Sequence, residues 1–154
     1  WNDFTFQEAP DNLAEFRDIV DATDPDISAF KKSGGKMISY FGWADPDINP
    51  LTLINYYKEV KSIDSSVDSH FRVYMVPGMF HCQGGPGPDS FDMMSPLIDW
   101  VEQNIAPEQI PAWKETKEGK QLTRPLCPYP KEALLAANKF KCKVPRDIPE
   151  LPRP

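Results

Sequence analysis

A histidine followed by a cysteine, His81-Cys82, closes an apolar run that begins Phe71-Arg72-Val73-Tyr74-Met75-Val76 and continues through Pro77-Gly78-Met79-Phe80. Behind it lies a glycine-rich stretch, Gly84-Gly85-Pro86-Gly87-Pro88-Asp89. About 36 residues earlier a second strand-like run, Lys36 to Phe41, ends in Gly42-Trp43-Ala44-Asp45-Pro46-Asp47 and offers a carboxylate. An imidazole and a carboxylate are two parts of an acyl-transfer triad, one as base and the other as its orienter. The third part should be a serine in a glycine-flanked turn, placed ahead of the aspartate in chain order. Ahead of Asp45 stand only Ser28, Ser33 and Ser39. Ser28 falls in an expected helix, Ser33 just before a glycine pair and Ser39 inside a strand, and none has that turn. The chain reads as an incomplete catalytic unit.

The elements that must position these groups follow from periodicity and punctuation. A helix is expected over Asp11–Val20. A second begins at Thr23-Asp24-Pro25-Asp26, with a capping side chain, an early proline and carboxylates at the positive end of the dipole, and stops at Gly34-Gly35. Lys36–Phe41 is the first strand. Pro50–Ser62 is a helix, with Leu51, Ile54, Tyr57 and Val60 on one face. Phe71–Val76 is the second strand. Ser90 is expected to cap a third helix with an apolar stripe of Phe91, Met94, Leu97, Ile98 and Val101, ending near Ile105-Ala106-Pro107. Strand, helix, strand, helix predicts a parallel α/β sheet, and a crossover unit takes about 30 or more residues, which matches the Asp45–His81 spacing. Functional groups in such sheets gather at the carboxyl ends of strands, where both residues fall. Two strands are too few for a stable doubly wound sheet, so the others must come from elsewhere. After Pro107 the chain reads as a loop-rich, proline-rich tail.

Composition narrows the function. The formal charge is −6 without a basic run, which argues against nucleic acid or anionic lipid as partner. No apolar stretch approaches the roughly 18 residues of a membrane span. No leader-like segment opens the sequence, and either processing or a missing upstream region is expected. Three cysteines are present, Cys82, Cys127 and Cys142. A Cys127–Cys142 bridge would staple the tail, worth roughly 3 kcal/mol for a loop of about 15 residues. That leaves Cys82 odd, which suggests a bond to something outside the chain; three reduced, packed cysteines are the other reading.

At this point five runs carry a resemblance: Gly34-Gly35-Lys36-Met37-Ile38, Gly42-Trp43-Ala44-Asp45-Pro46, Met75 to Cys82, Gly84 to Asp89, and Arg124-Pro125-Leu126-Cys127-Pro128-Tyr129-Pro130. Together they resemble the C-terminal part of the tannase and feruloyl esterase family, from about Asp24 to Cys142. The resemblance implies the C-terminal part of an α/β-hydrolase fold, a parallel-sheet βαβα segment with a Pro-rich, disulfide-pinned tail. Residues 1–22 would be a lead-in following a missing lid, 23–106 the C-terminal part of the catalytic domain, and 107–154 a tail packed on the core. It further implies a secreted, extracellular serine carboxylesterase acting on small phenolic-acid esters, galloyl or feruloyl. The family's triad lies in a Cys-Ser, Asp, His-Cys pattern, of which Asp45, His81 and Cys82 are present. By that pattern Cys82 is disulfide-bonded to the cysteine before a serine on an N-terminal chain or segment, which also carries the lid. The lid's calcium site and substrate pocket would lie outside these residues, so no cofactor and no metal is assigned within them. Relatives often have histidine where Phe41 stands; Phe41 is expected to pack at the strand end.

Other readings stand beside these. A hydrolase-like structural or binding module without activity would keep the loops and lose the chemistry, and a peptidase would use the same triad. Asp47 competes with Asp45 as triad acid. Asp24, Asp26, Asp45 and Asp47 read better as turn and helix caps than as a calcium cluster. Gly84 to Pro88 is no phosphate loop, because its prolines lack the N–H groups a phosphate needs. His70, beside Asp68 and Ser69, reads as a solvated turn residue, Trp43 as a pocket or packing residue, and Trp100 as core.

Overall fold

The computed structural model describes residues 5, 7, 11, 13–119 and 121–145. Residues 1–4, 6, 8–10 and 12 of the expected lead-in and first helix, and 120 and 146–154 of the tail, lie outside the described residues. The elements, in order, are α1 (Ala14–Val20), α2 (Ser28–Lys32), β1 (Met37–Gly42), α3 (Leu51–Ile63), a 3-10 turn (Val67–Ser69) and β2 (Phe71–Val76). β3 (Ser90–Phe91), α4 (Met94–Gln103), β4 (Ile110–Glu115), β5 (Gln121–Leu126), β6 (Glu132–Ala136) and β7 (Lys139–Lys143) follow.

β1 and β2 pair in parallel, from Met37↔Phe71 to Gly42↔Val76, with α3 as their crossover. α3 starts where Asn49 Oδ1 accepts the Leu51 N–H at 3.0 Å, with Pro50 in a position whose missing donor costs nothing. Its Ile54, Tyr57 and Val60 are buried against Phe71, Val73 and Met75 of β2, with Phe41 and Leu51 half-buried at the margin. Burying a side chain of that size is worth about 2 kcal/mol. The alternate residues of β2, Tyr74 and Val76, face the other way and pack with Met79, Ile110, Ala112 and Leu126. β2 is therefore buried on both faces, which is why it reads as an unbroken apolar run.

The two edges of this sheet differ. Beyond β2 the chain returns through the Tyr74↔Pro128 bridge, and the Tyr129 N–H donates to the Val73 carbonyl at 2.7 Å. The Cys127–Cys142 disulfide ties that segment to β7, with Cα atoms 5.5 Å apart. β1 has no strand on its outer side among the described residues.

Three expectations are corrected. Helix α4 starts at Met94, not Ser90, because Ser90 and Phe91 pair with Trp113 and Ala112 of β4. The capping carboxylate is Asp92, whose Oδ1 accepts the N–H groups of Met94 and Ser95. Its stripe of Met94, Ile98 and Val101 is exposed, and Trp100 turns inward between Lys36 and Arg72. The second helix begins four residues after Asp24 because Asp24 and Asp26 fold their carboxylates onto the N–H groups of Asp26 and Ser28, forming turns first. The described tail is stranded rather than loop-rich: β4 and β5 pair antiparallel, joined with β3 in one sheet, and β6 and β7 form a hairpin.

Candidate active site

The parallel pairing sets Gly42 opposite Val76, so both strands end at one level and their following loops meet. They meet backbone to backbone. The Trp43 N–H donates to the Val76 carbonyl (2.9 Å) and the Ala44 N–H to the Met79 carbonyl (3.0 Å). A Cβ on Gly42 would lie 2.4 Å from the Met79 oxygen, so only glycine allows this approach.

On that junction Asp45 and His81 touch. The ring Nδ1 of His81 lies 2.8 Å from Asp45 Oδ2. Asp45 Oδ1 accepts the N–H groups of Asp47 (2.8 Å) and Ile48 (3.1 Å), which fixes the carboxylate in rotation. The Asp45 side chain is 2 % exposed and that of His81 46 %. An ionised Asp45 accepts only, so Nδ1 carries the proton and Nε2 is left as the basic nitrogen, without a hydrogen-bond partner among the described residues. Burial pushes the Asp45 carboxyl upward, but the Asp47 N–H, the His81 hydrogen bond and the Ile48 N–H together bring it below the usual aspartate value. The Asp45 hydrogen bond and charge, with a smaller push from Asp47, hold His81 above the usual imidazole value. Asp47 is exposed and its backbone N–H donates to Asp45; its carboxylate lies near the ring without a hydrogen bond to it, so the imidazole's hydrogen-bond partner is Asp45.

Asp45, Asp47 and His81 each offer one ligand atom within 4.8 Å of the others. Asp45 and His81 already hydrogen-bond each other, an arrangement suited to proton transfer. Asp24 and Asp26 are engaged in their own turns.

The histidine loop is held from below. Gly84 donates its N–H to Asp89 Oδ2 at 2.9 Å, and Lys114 of β4 reaches both that oxygen (3.2 Å) and the Gly85 carbonyl (2.5 Å). Sequence reasoning passed over both residues. The available signal was Lys114 itself, a charge at an inward position of a strand whose other inward residues are Ile110 and Ala112. Cys82 follows His81 at φ +64° with an exposed, unpaired thiol. A left-handed non-glycine residue costs about 1–2 kcal/mol, so the loop imposes this geometry.

Trp43 lines a cleft of about 260 Å³ with Met75, Pro77, Arg124, Tyr129 and Lys131, beside the dyad; neither Asp45 nor His81 lines it. His70, expected in solvent, is buried, because the 3-10 turn before β2 folds it inward. Of the serines ahead of Asp45, Ser28 opens α2, Ser33 follows it, and Ser39 lies within β1, so none stands in a strand-to-helix turn.

A sequence model of the tannase and feruloyl esterase family matches residues 2–144. The chain belongs to the tannase and feruloyl esterase family. It is 45 % identical over 115 residues to a mono(2-hydroxyethyl) terephthalate hydrolase of Piscinibacter sakaiensis, covering 73 % of this chain and 19 % of that protein. It is 39 % identical over 132 residues to a probable feruloyl esterase of Arthroderma benhamiae, covering 81 % of this chain and 24 % of the relative. The solved tannin acyl hydrolase of Aspergillus niger superposes with a TM-score of 0.74 at 29 % identity, over 86 % of this chain and 27 % of the other. The chain thus spans about a fifth to a quarter of the length of these relatives, and its fold is of their α/β-hydrolase type, with a tail pinned by the Cys127–Cys142 disulfide. No described helix is long and apolar enough to cross a membrane.

Proposed function

We propose that this chain is the C-terminal portion of a secreted serine carboxylesterase for small phenolic-acid esters, supplying the triad aspartate and histidine to a serine on an N-terminal segment. The observation that carries the reading is the 2.8 Å contact between His81 Nδ1 and the buried Asp45 carboxylate at the ends of two adjacent parallel strands.

In this reading the serine hydroxyl attacks the ester carbonyl while His81 Nε2 takes its proton. His81 then hands that proton to the departing alcohol, and water repeats the sequence on the acyl-enzyme. Asp45 keeps the Nδ1 proton in place and stabilises the imidazolium without itself taking a proton. Backbone N–H groups beside the serine would hold the oxyanion, and these belong to the N-terminal segment. The lid, with its calcium site, belongs there too.

Two features support a missing partner segment. Among the described residues, β1 has an open edge and the Met94, Ile98 and Val101 face of α4 is uncovered. The unpaired Cys82 thiol beside the base is the point at which a disulfide to the serine's neighbouring cysteine would join the two segments.

Non-reducing peptide mapping of the full-length protein tests the linkage. The Cys82 peptide should elute joined to a Cys-Ser peptide; a free Cys82 thiol in active enzyme would exclude the bond. Hydrolysis of a feruloyl or galloyl ester by the same preparation tests the activity. A folded, complete protein inert toward both esters would leave a non-catalytic module of hydrolase ancestry.

A further inference from the structure

The loop from Gly78 to Asp89 has three internal backbone hydrogen bonds: Phe80 N–H to the Gly84 carbonyl, Gln83 N–H to the His81 carbonyl, and Gly87 N–H to the Gly78 carbonyl. It is drawn tight, since a Cβ on Gly85 would lie 2.1 Å from the Gly78 oxygen and one on Gly87 1.8 Å from the Pro77 oxygen. Gly84 is its hub. The Gly84 carbonyl receives the N–H of Phe80, the residue directly before His81, and the Gly84 N–H is given to Asp89. What fixes Asp89 fixes the approach to His81.

Asp89 is fixed from β4. Its N–H donates to the Trp113 carbonyl, and its Oδ2 receives Lys114 Nζ, which also bonds the Gly85 carbonyl. Both side chains are largely buried, 25 % and 18 % exposed for lysine and aspartate. Alternation along β4 calls for an apolar residue at 114, after Ile110 and Ala112. A cation in such a place is costly unless paired and hydrogen-bonded, and here it is both.

We propose that Lys114, acting through Asp89 and the Gly85 carbonyl, is a positioning residue that keeps the His81-Cys82 loop in register with Asp45. The proposal rests on His81 being the base of the proposed esterase. Without the ammonium, the Gly85 carbonyl loses its donor and the Asp89 carboxylate keeps only the Gly84 N–H, although the Asp89 backbone stays tied to Trp113. The 84–89 half of the loop then relaxes and carries Phe80 and His81 with it. A displacement of about 1 Å at a reacting group can cost up to about 100-fold in rate.

The test uses the full-length protein with Lys114→Met, Lys114→Arg and Asp89→Asn. The Met variant should lose roughly tenfold or more in kcat, with KM changed less than about twofold, because the ester's binding surface is elsewhere. Its His81 titration, followed by NMR of the imidazole protons, should move down toward the ordinary value of about 6.5 as the Asp45 hydrogen bond loosens. Lys114→Arg, which keeps the cation and its donors, should recover most of the rate, and Asp89→Asn should move both readouts in the same direction by less. Wild-type kcat and an unmoved His81 titration in Lys114→Met overturn the proposal. So does a loss of rate that tracks loss of folded protein while the His81 titration stays put, which is how a merely structural lysine behaves. If the unsubstituted protein hydrolyses no ester, the proposed function fails on its own account, and the His81 titration still decides the role of Lys114.

Discussion

β2 has a histidine at each end, and each has an aspartate nearby; what differs is the setting. At the carboxyl end, His81 is half exposed and its Nδ1 meets Asp45 at 2.8 Å, so its proton affinity is raised. At the amino end, His70 is buried, its Nε2 lies 3.8 Å from Asp64 Oδ2, and that nitrogen has no hydrogen-bond partner among the described residues. Burial dominates there and lowers its proton affinity. The charge of Asp64 opposes this, Lys31 and Lys36 add to it, and Asp68 weakly resists. Asp64 itself is occupied by Lys31 Nζ (2.6 Å) and by Ser66, which hold its carboxyl well below the usual range. The pairing of residue types is thus no guide by itself. A carboxylate free to serve an imidazole raises its proton affinity, whereas one already taken leaves burial to lower it.

The contrast can be broken most severely at His81. In the full-length protein, on the proposed esterase reading, His81→Ala should lower kcat by about 10⁶-fold, the scale found when a triad histidine is removed, with the melting temperature nearly unchanged; a loss below tenfold would remove His81 from the chemistry. Asp45→Asn should cost about 10⁴-fold by leaving the wrong tautomer. The acid limb of its rate profile should also fall, since a base must be neutral and Asp45 is what holds His81 above the usual value. At the other end, His70→Ala should leave kcat within about twofold but cost about 2 kcal/mol of stability through lost packing, read from the denaturant midpoint. A catalytic defect there would erase the distinction. The smallest effect is a slope. His70's folded value lies below its unfolded one, so its contribution is fully present above about pH 6.5 and lost progressively as pH falls below that. Because His81, held above the usual value, pulls the other way over this range, the effect is read as a difference: between pH 7 and pH 5 the midpoint should fall more, or rise less, in the unsubstituted protein than in His70→Asn.

The readable parts of the fold were those in which periodicity and burial agree. Ile54, Tyr57 and Val60 mark one face of α3, and the run Phe71–Val76 is a strand because both its faces are covered. Asp45 and His81 were legible as types at strand ends, although their contact depends on a register that only the pairing decides. Ser90 and Phe91 escape a reading by pattern because their strand exists only through partners 23 and 21 residues on, Trp113 and Ala112 respectively. The tail strands were hidden by their prolines: Pro111 and Pro125 face each other within β4 and β5, a residue type that argues against a strand. The β6–β7 hairpin turns on Ala137 and Asn138, both at positive φ, without the Asn-Gly pair that announces such a turn. His70 could not have been placed from its neighbours Asp68 and Ser69, because a single 3-10 turn decides whether it points to water or to the core.

The hydrogen bonds of Trp43 and Ala44 to the Val76 and Met79 carbonyls, with Gly42 pressed against Met79, rivet the two loops through main chain alone. The two strand ends are therefore held together whatever side chains flank them, and only the loop beyond, where Asp89 and Lys114 act, depends on side chains for its setting. Trp43, Ile48 and Phe80 are all exposed on the flanks of that rivet, and their side chains take no part in it. On the proposed esterase reading, the proton relay and the surface that meets the ester are separable parts, each open to change without the other.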